Sequence, residues 1–151
     1  MRALLQRVSR GGVDIPEDDY SASIGKGLVV LLGVKHSDTE ADALYLADKT
    51  AALRIFSDDE GKMNLSVTDI AGEILVISQF TLYGDGSKGN RPGFTDSAKP
   101  PVAIPLYEKY IRRLRDILGD EKIKTGIFGA MMSVEIINDG PVTIMLESKN
   151  P

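Results

Sequence analysis

The sequence predicts a single-domain fold of the mixed α/β class. Short apolar and β-branched runs, bounded by glycine, proline and acidic residues, predict strands along most of the chain. Two segments carry apolar residues at helical spacing and predict two main helices. The 151 residues, 42% of them hydrophobic, can build one core, whereas two domains of this total length would each be marginal. We therefore treat residues 1–151 as one domain.

The first half of the chain is predicted to contain strands followed by a helix. Three strands of a meander are expected at residues 3–8, 13–15 and 20–24. The continuous apolar run 28–32 predicts a core strand that is covered on both faces. Ser37-Asp38-Thr39-Glu40 matches a capping box, and the residues after it predict a helix over about 39–52. The small residues of this helix imply close packing on a sheet.

A hairpin follows the first helix in the prediction. Residues 54–56 and 63–65 flank the turn-rich cluster Asp58-Asp59-Glu60-Gly61. The spacing of these carboxylates fits no calcium-binding loop, so they are expected to be solvated and not to bind a metal.

The second helix is predicted over residues 106–118. Pro105 fits its first turn and Gly119 its end. Its basic face, which is more often solvated than RNA-binding, consists of Lys109, Arg112, Arg113 and Arg115. Residues 122–125 begin another strand.

Composition excludes several classes of function. The chain has no cysteine, which rules out disulfides, thiolate nucleophiles and cysteine-based zinc sites. Its single histidine, His36, lies between a predicted strand and a helix and is expected in a surface turn, so ordinary histidine chemistry is not available. A net charge of −4 argues against a general nucleic-acid coat protein, although a local contact remains open. No segment has the apolar length of a signal peptide or membrane span, so a soluble, cytoplasmic protein is expected.

The glycine-rich stretch after Tyr83 has two readings. Its opening, Gly84-Asp85-Gly86-Ser87-Lys88-Gly89, matches the dinucleotide pattern, but Pro92, Pro100 and Pro101 are expected to keep the following chain from forming the required helix. We therefore reject a nucleotide cofactor and predict a functional loop. Lys88 and Arg91 are candidate contacts for an RNA phosphate, with solvated charges as the equal alternative.

Two segments combine strand character with unusual chemistry. Residues 73–83 begin as a buried apolar strand and end in the polar run Ser78-Gln79-Phe80-Thr81, whose side chains need hydrogen-bond partners. Near the C-terminus, Gly140-Pro141 interrupts two strand-forming runs, although proline cannot donate to a ladder. This break predicts either main-chain carbonyls that are free to accept an ammonium group, or a hairpin turn with Asp139-Gly140 at its tip. Local sequence alone favours the hairpin.

Together the two segments are much more specific. Ser78-Gln79-Phe80-Thr81-Leu82-Tyr83 and Asn138-Asp139-Gly140-Pro141-Val142-Thr143 resemble the two signature motifs of the D-aminoacyl-tRNA deacylases. The similarity covers nearly the whole chain, because it also includes Met1-Arg2-Ala3, Gln6-Arg7-Val8, Gly25-Lys26-Gly27-Leu28, Leu53-Arg54-Ile55-Phe56, Gly61-Lys62-Met63-Asn64-Leu65-Ser66 and Gly126-Ile127-Phe128-Gly129-Ala130-Met131-Met132.

The resemblance implies an architecture and an activity. The expected fold has barrel-like or sandwich-like sheets with the two main helices packed on one side. The expected enzyme is a homodimeric hydrolase that cleaves the ester between a D-amino acid and the 3′ end of tRNA and excludes L-amino acids, without a metal or cofactor. Because glycine has no side chain to exclude, glycyl-tRNA is an expected substrate too. The alternative is a non-catalytic binder of the aminoacylated tRNA 3′ end.

The resemblance also implies roles for individual residues. Ser78, Gln79 and Thr81 would form the catalytic centre, although Thr81 lacks a nearby base and is expected to position substrate rather than attack it. Gly140-Pro141 would be a cis dipeptide that enters the partner subunit's active site and provides chiral selectivity. Residues that would bind the substrate and its terminal adenosine are Phe80, Phe128, Gly129, Ala130, Met131 and Met132.

Overall fold

The computed structural model describes residues 1–148, so residues 149–151 of the predicted domain lie outside the described part. The elements are β1 (Arg2–Ile15), β2 (Tyr20–Ile24), β3 (Gly27–Gly33), α1 (Glu40–Ala52), β4 (Phe56–Ser57), β5 (Met63–Leu65), β6 (Glu73–Ser78), α2 (Pro100–Leu118), β7 (Ile123–Thr125) and β8 (Ser133–Glu147). Short 3-10 helices occupy Pro16–Asp18, Phe80–Tyr83 and Asp120–Lys122. The prediction of a mixed α/β fold with two main helices is confirmed.

One sheet of six strands organises the described residues. Its order is β2-β1-β3-β6-β7, and β8 also pairs with β1. The long strand β1 pairs with β3 through its first half and with β2 through its second half, while β8 runs antiparallel to both halves. β6 lies parallel to both β3 and β7. Because β2 also contacts β6 and β7, the sheet curls into a nearly closed barrel.

Strand alternation divides the core into two parts. On β3 and β6, Leu28, Val30, Ile74 and Val76 face the helices and pack with both of them. The alternate residues, including Val29, Leu75 and Ile77, face the barrel interior. Both faces of these central strands are therefore buried, as their continuous apolar runs predicted. Burying each such aliphatic side chain contributes about 1.5–3 kcal/mol.

The structure corrects the prediction of separate strands at 3–8 and 13–15. β1 continues through Gly11-Gly12, which were expected to end the first strand. A Cβ at Gly11 would lie 2.6 Å from the Cγ2 of Val29, so a side chain here would clash. The glycine allows β1 to pass closely over β3, and it does not mark a turn.

The helix predicted over about 39–52 is confirmed as α1, but its capping residue and the start of α2 differ from the predictions. Thr39, not Ser37, caps α1, and the carboxylate of Asp42 accepts from the Thr39 amide at 2.7 Å. α2 begins at Pro100 instead of 106, so the expectation that Pro100 and Pro101 keep the chain non-helical was wrong. The first helical turn needs no amide donors, which is why proline is tolerated there.

Two smaller predictions are confirmed: β4 and β5 form the expected antiparallel hairpin, and His36 is exposed in a turn. Within residues 1–148, neither helix combines the length and apolar character needed to cross a membrane. The same residues contain no group of three or more histidine or acidic side chains that could hold a metal ion.

Candidate active site

The chain changes direction at the end of β6. This strand lies between β3 and β7, and after Ser78 the amide of Gln79 donates to the carbonyl of Leu32 at 2.8 Å. The next residues form the 3-10 helix Phe80–Tyr83. Thr81 therefore lies on a helical turn and not, as predicted, on the strand. The turn brings the polar end of the first motif to the edge of the sheet, beside the start of α2.

A cavity of about 440 Å³ opens at this edge. The first motif contributes Ser78, Gln79 and Phe80, and the segment between β7 and β8 contributes all five of its predicted substrate-binding residues. The complete lining is Leu32, Val34, Ile77, Ser78, Gln79, Phe80, Ala98, Pro100, Ala103, Tyr107, Phe128, Gly129, Ala130, Met131, Met132 and Val134. The structure therefore brings together two segments that are about fifty residues apart in sequence.

The lining carries no charge at neutral pH. Among the described residues it contains no acidic, basic or histidine side chain, and its one titratable group is the phenol of Tyr107. Burial raises the pKa of Tyr107 to about 12, because the phenolate would lose its hydration. The hydroxyl donates to the Val76 carbonyl at 3.4 Å. No side chain that lines this cavity can act as a general base near pH 7.

Thr81 lies outside the lining of the cavity. Its side chain is exposed, and its hydroxyl accepts a hydrogen bond from the side-chain amide of Gln79, which lines the cavity. Within the described residues this amide is the one side-chain partner of the Thr81 hydroxyl, and an amide cannot serve as a base. The positioning role of Thr81 stays a prediction.

Aromatic rings border the cavity on two sides. Phe80 is 58% exposed and packs edge to face on Phe94, with centroids 5.1 Å apart. Across the cavity, Phe128 packs edge to face on Tyr107 at 5.5 Å. Such pairs stabilise the ring positions by about 0.5–1.5 kcal/mol. The cavity thus has fixed apolar walls of the kind that can hold a nucleoside base.

The segment between β7 and β8 needs glycine at residue 129, whose φ of +80° is one that L side chains rarely adopt. A Cβ at Gly126 would lie 2.5 Å from the Sδ of Met132, but this atom belongs to a flexible side chain that can move. Gly129 therefore lets the segment bend around the cavity. Met131 is 80% exposed, the highest exposure among the exposed large apolar side chains of the described residues.

The second motif forms a bulge within β8, so the alternative of a hairpin turn was wrong. Gln6 pairs with Thr143 and Val8 with Asn138, which leaves residues 139–142 of β8 opposite Arg7 alone. The Gly140-Pro141 bond is cis, as the resemblance implied, and both residues are exposed. Gly140 has a φ of +138°, and a Cβ there would lie 2.8 Å from Val142. Glycine is therefore required at this position.

The bulge is held by side chains on both strands. The Nε of Arg7 donates to the Asp139 carbonyl and its Nη1 to the Ile55 carbonyl, both at 2.9 Å. The side-chain oxygen of Asn138 accepts from the Val142 amide at 2.9 Å. Sequence reasoning assigned no role to Arg7. The available signal was a cation in the middle of an apolar strand.

The structure does not place every predicted site residue at the cavity. Gly140 and Pro141 do not line it, and neither do Lys88 and Arg91, which are exposed on the loop after the 3-10 helix. Within residues 1–148 neither cation makes a hydrogen bond or an ion pair. The prediction also missed much of the wall that α2 provides, namely Pro100, Ala103 and Tyr107. These residues looked like ordinary core or loop positions.

Comparisons with known proteins agree on one family. The sequence model of D-Tyr-tRNA(Tyr) deacylase matches residues 4–147. A D-aminoacyl-tRNA deacylase from Cytophaga hutchinsonii is 54% identical over 150 residues, which cover 99% of each chain. A protein from Bacillus subtilis, named an inactive D-aminoacyl-tRNA deacylase, is 55% identical over 135 residues, covering 88% of this chain and 99% of that one.

A solved structure shows the same fold at full length. It is described as a c-Myc DNA unwinding element binding protein, has a TM-score of 0.92 and 41% identity, and covers 99% of this chain and 100% of its own. The family predicted from the two motifs is thereby confirmed. The chain belongs to the D-Tyr-tRNA(Tyr) deacylase family, hydrolases that act on the ester bond of aminoacyl-tRNA.

Proposed function

We propose that residues 1–151 form one deacylase domain whose cavity receives the 3′-terminal aminoacyl-adenosine of a D-aminoacyl-tRNA. Hydrolysis of the ester there releases the free D-amino acid and the tRNA. One observation carries this proposal: a cavity of about 440 Å³ joins apolar and aromatic walls to the hydroxyl of Ser78 and the amide of Gln79 at its rim. The apolar and aromatic walls can pack on the adenosine, and the polar groups at the rim can hydrogen-bond the ester.

The chemistry proceeds without a charged side chain in the cavity. An aminoacyl ester is already activated, so holding it beside a water molecule lowers the barrier substantially. The first amides of a helical turn have no partner within that turn, and that of Phe80, which lines the cavity, is the donor for the developing oxyanion. The 2′-hydroxyl of the substrate helps to activate the water. Ser78 and Gln79 orient the ester, and Thr81 orients Gln79.

Chiral selection comes from Gly140-Pro141 and requires two subunits. Both residues are exposed at the bulge of β8 and lie outside the cavity of their own chain. They can act on a bound substrate only by entering the cavity of a second copy. Ile137 and Met145 also lie on β8, and each is 45% exposed. They offer apolar surface to the second copy. A homodimer therefore completes both sites.

Selection works by exclusion in this proposal. The side chain of an L-amino acid points at the partner's Gly140-Pro141, and that of a D-amino acid points away. Main-chain carbonyls of the bulge accept the substrate ammonium group in either case. Glycyl-tRNA, which has no side chain to exclude, is cleaved together with D-aminoacyl-tRNA.

A non-catalytic binder of the tRNA 3′ end is the alternative, and the name of the Bacillus subtilis relative favours testing it directly. The experiment is single-turnover hydrolysis of D-Tyr-tRNA with enzyme in excess. We expect first-order release of D-tyrosine, far above the spontaneous rate, and a large loss in Gln79→Ala. Binding of the tRNA without any shortening of the ester lifetime would contradict the proposal and support the alternative.

A further inference from the structure

A second cavity lies on the other side of the Tyr107–Phe128 pair. It has a volume of about 530 Å³ and is formed by one side of α2 together with the end of β7 and the segment after it. Tyr107 and Phe128 line both cavities, so one aromatic wall separates them. We call this second cavity the α2 groove. Its charged side chains are Glu108, Arg112 and Arg115, and its exposed apolar side chain is Ile127.

Arg115 is the unusual member of the α2 groove. Its Nε is buried and has no hydrogen-bond partner, and within residues 1–148 its guanidinium forms no ion pair. The neighbouring arginines of α2 differ. Arg112 lies 2.8 Å from a carboxylate oxygen of Asp120, and Arg113 lies 2.7 Å from one of Asp48. Nε itself is out of reach of a ligand, so the donors that Arg115 offers to the groove are its two terminal nitrogens, which make no hydrogen bond or ion pair within residues 1–148.

The charge and the shape of the groove define a ligand for these nitrogens. An arginine guanidinium forms paired hydrogen bonds with phosphate, so Arg115 suits an anion of this kind. Glu108 in the same groove opposes additional negative charge, and Arg112 is already neutralised by acidic neighbours. The groove is therefore suited to one phosphate and not to a long charged backbone. Ile127, which is 37% exposed, offers an apolar surface beside it.

We propose that Arg115 binds a phosphate of the single-stranded 3′ end of the tRNA, immediately upstream of the terminal adenosine. This inference rests on the proposed function, which places that adenosine in the first cavity. Because the two cavities share one wall, a strand that ends in the first cavity passes its preceding phosphates along the rim of the α2 groove. A phosphate contact positions the strand without reading its sequence, which suits an enzyme that acts on many tRNAs.

The test compares two esters that differ only in the upstream nucleotides. D-tyrosyl-adenosine lacks the phosphates, whereas D-tyrosyl-CCA carries them. In wild type we expect a higher kcat/KM for D-tyrosyl-CCA. Arg115→Gln should reduce the ratio of the two kcat/KM values about tenfold, and Arg115→Lys should restore part of it. The slope of log KM against log salt for D-Tyr-tRNA should fall by about 0.7.

Arg113→Gln is the matched control, because it removes an arginine that lies on the same helix but is paired with Asp48. In Arg113→Gln, the ratio of kcat/KM for D-tyrosyl-CCA to kcat/KM for D-tyrosyl-adenosine should equal the wild-type ratio. Equal ratios in Arg115→Gln and wild type, or equal losses in both glutamine variants, would overturn the inference. Thermal unfolding of each variant identifies misfolding. If Arg115→Gln is misfolded, Arg115→Lys decides: a ratio below that of wild type supports the phosphate contact, and a ratio equal to that of wild type overturns it.

Failure of the proposed function is a separate outcome. If wild type cleaves neither ester faster than the spontaneous rate, the proposed function is refuted. The role of Arg115 is then measured by calorimetry with uncleavable amide-linked D-tyrosyl-adenosine and D-tyrosyl-CCA. A tenfold loss of affinity in Arg115→Gln that is confined to the CCA compound supports the phosphate contact, and equal affinities overturn it.

Discussion

The guanidinium of Arg7 donates from Nε to the carbonyl of Asp139 at 2.9 Å, across the pairing of β1 with β8. Arg7 is the one residue of β1 that stands opposite the four-residue bulge 139–142. Its second bond, to the Ile55 carbonyl, ties the same side chain to the segment after α1. The Arg7 side chain is 12% exposed, and its bond to Ile55 is partly buried, whereas its bond to Asp139 lies at the surface. Arg7 therefore fixes the main chain immediately before Gly140-Pro141.

Replacing Arg7 should loosen the bulge 139–142, which carries Gly140-Pro141. Arg7→Met keeps most of the apolar stem but leaves two carbonyls without donors, and hydrogen bonds to a charged group contribute about 1.5–3 kcal/mol each. We expect D over L discrimination to fall about 10-fold to 100-fold. The measurement is kcat/KM for D-Tyr-tRNA and L-Tyr-tRNA.

Arg10→Met is the control for that experiment. Arg10 lies on the same strand and also bonds to β8, through Glu135, but its side chain is 61% exposed. Exposed ion pairs contribute little, so this variant should resemble wild type. Unchanged discrimination in Arg7→Met, or the same loss in both variants, would refute the role given to Arg7.

Thr81→Ala should slow hydrolysis without abolishing it. The hydroxyl holds the Gln79 amide and does not line the cavity, so its loss disorders a positioning group and removes no nucleophile. We expect kcat to fall by about one to two powers of ten, whereas loss of a true nucleophile costs many more. Single-turnover kinetics measure the rate. An acyl adduct on Thr81, trapped by acid quench and found by mass spectrometry, would contradict the positioning role.

The pH profile should contain no ionisation from the cavity. Burial raises the pKa of Tyr107 to about 12, so its phenol stays protonated and neutral throughout pH 6 to 9. The one ionisation expected in this range is that of the substrate ammonium, whose pKa is about 8 for an α-amino group. Tyr107→Phe should keep the shape of the kcat/KM profile. A profile whose inflection disappears in this variant would show that Tyr107 takes part in proton transfer.

The same pKa shift predicts how stability depends on pH. The folded state holds the Tyr107 proton more tightly than the unfolded state does, where the pKa is about 10. The stabilisation is therefore complete below pH 10 and is lost as the pH rises towards 12. Urea unfolding should show a steeper loss between pH 10 and 12 in wild type than in Tyr107→Phe. Equal losses of unfolding free energy in wild type and Tyr107→Phe would contradict the raised pKa of Tyr107.

The sequence predicted local elements and the family better than it predicted long-range contacts. Apolar runs gave β3 and β6, and helical spacing gave α1 and the buried face of α2. The predictions for proline and glycine were wrong where tertiary packing determines the local backbone structure. Pro100 begins a helix that it was expected to prevent, and Gly11 allows a close strand contact where a turn was expected.

The candidate site was predicted from motifs and not from contacts. The cavity joins the end of β6 to the segment before β8, and nothing in either stretch alone indicates that they meet. Arg7 and Asp139 are 132 positions apart, so their bond depends on the register of β1 and β8. Tyr107 was predicted on the inner face of its helix, but its place in the cavity depends on where α2 crosses the barrel.

The dimer can be tested by mixing a variant with an altered cavity and a variant with an altered bulge. Gln79→Ala alters the cavity, and Gly140→Ala forces a Cβ into a backbone conformation that rejects it, at 2.8 Å from Val142. If Gly140-Pro141 acts on the partner's cavity, a mixed dimer has one intact site made of a wild-type cavity and a wild-type bulge. In an equal co-refolded mixture with random pairing, about half of the dimers are mixed and each has one intact site of two, so we expect about a quarter of the selective activity of wild type. A monomer with full activity at assay concentration, shown by sedimentation, would contradict this prediction.

The central claim is that the enzyme selects by steric exclusion at Gly140-Pro141. Discrimination of about 10⁴ requires roughly 5.5 kcal/mol, which a rigid clash supplies more readily than the loss of one hydrogen bond. Pro141 is exposed at the bulge, so its replacement by alanine removes part of the barrier without opening the core of the subunit.

The most direct measurement is the rate of hydrolysis of D-Tyr-tRNA, Gly-tRNA and L-Tyr-tRNA by wild type and by Pro141→Ala. Wild type should cleave the first two and spare the third, and Pro141→Ala should gain activity on L-Tyr-tRNA. Exclusion is contradicted if wild type cleaves L-Tyr-tRNA as fast as the D form, or if it rejects Gly-tRNA while it accepts D-Tyr-tRNA.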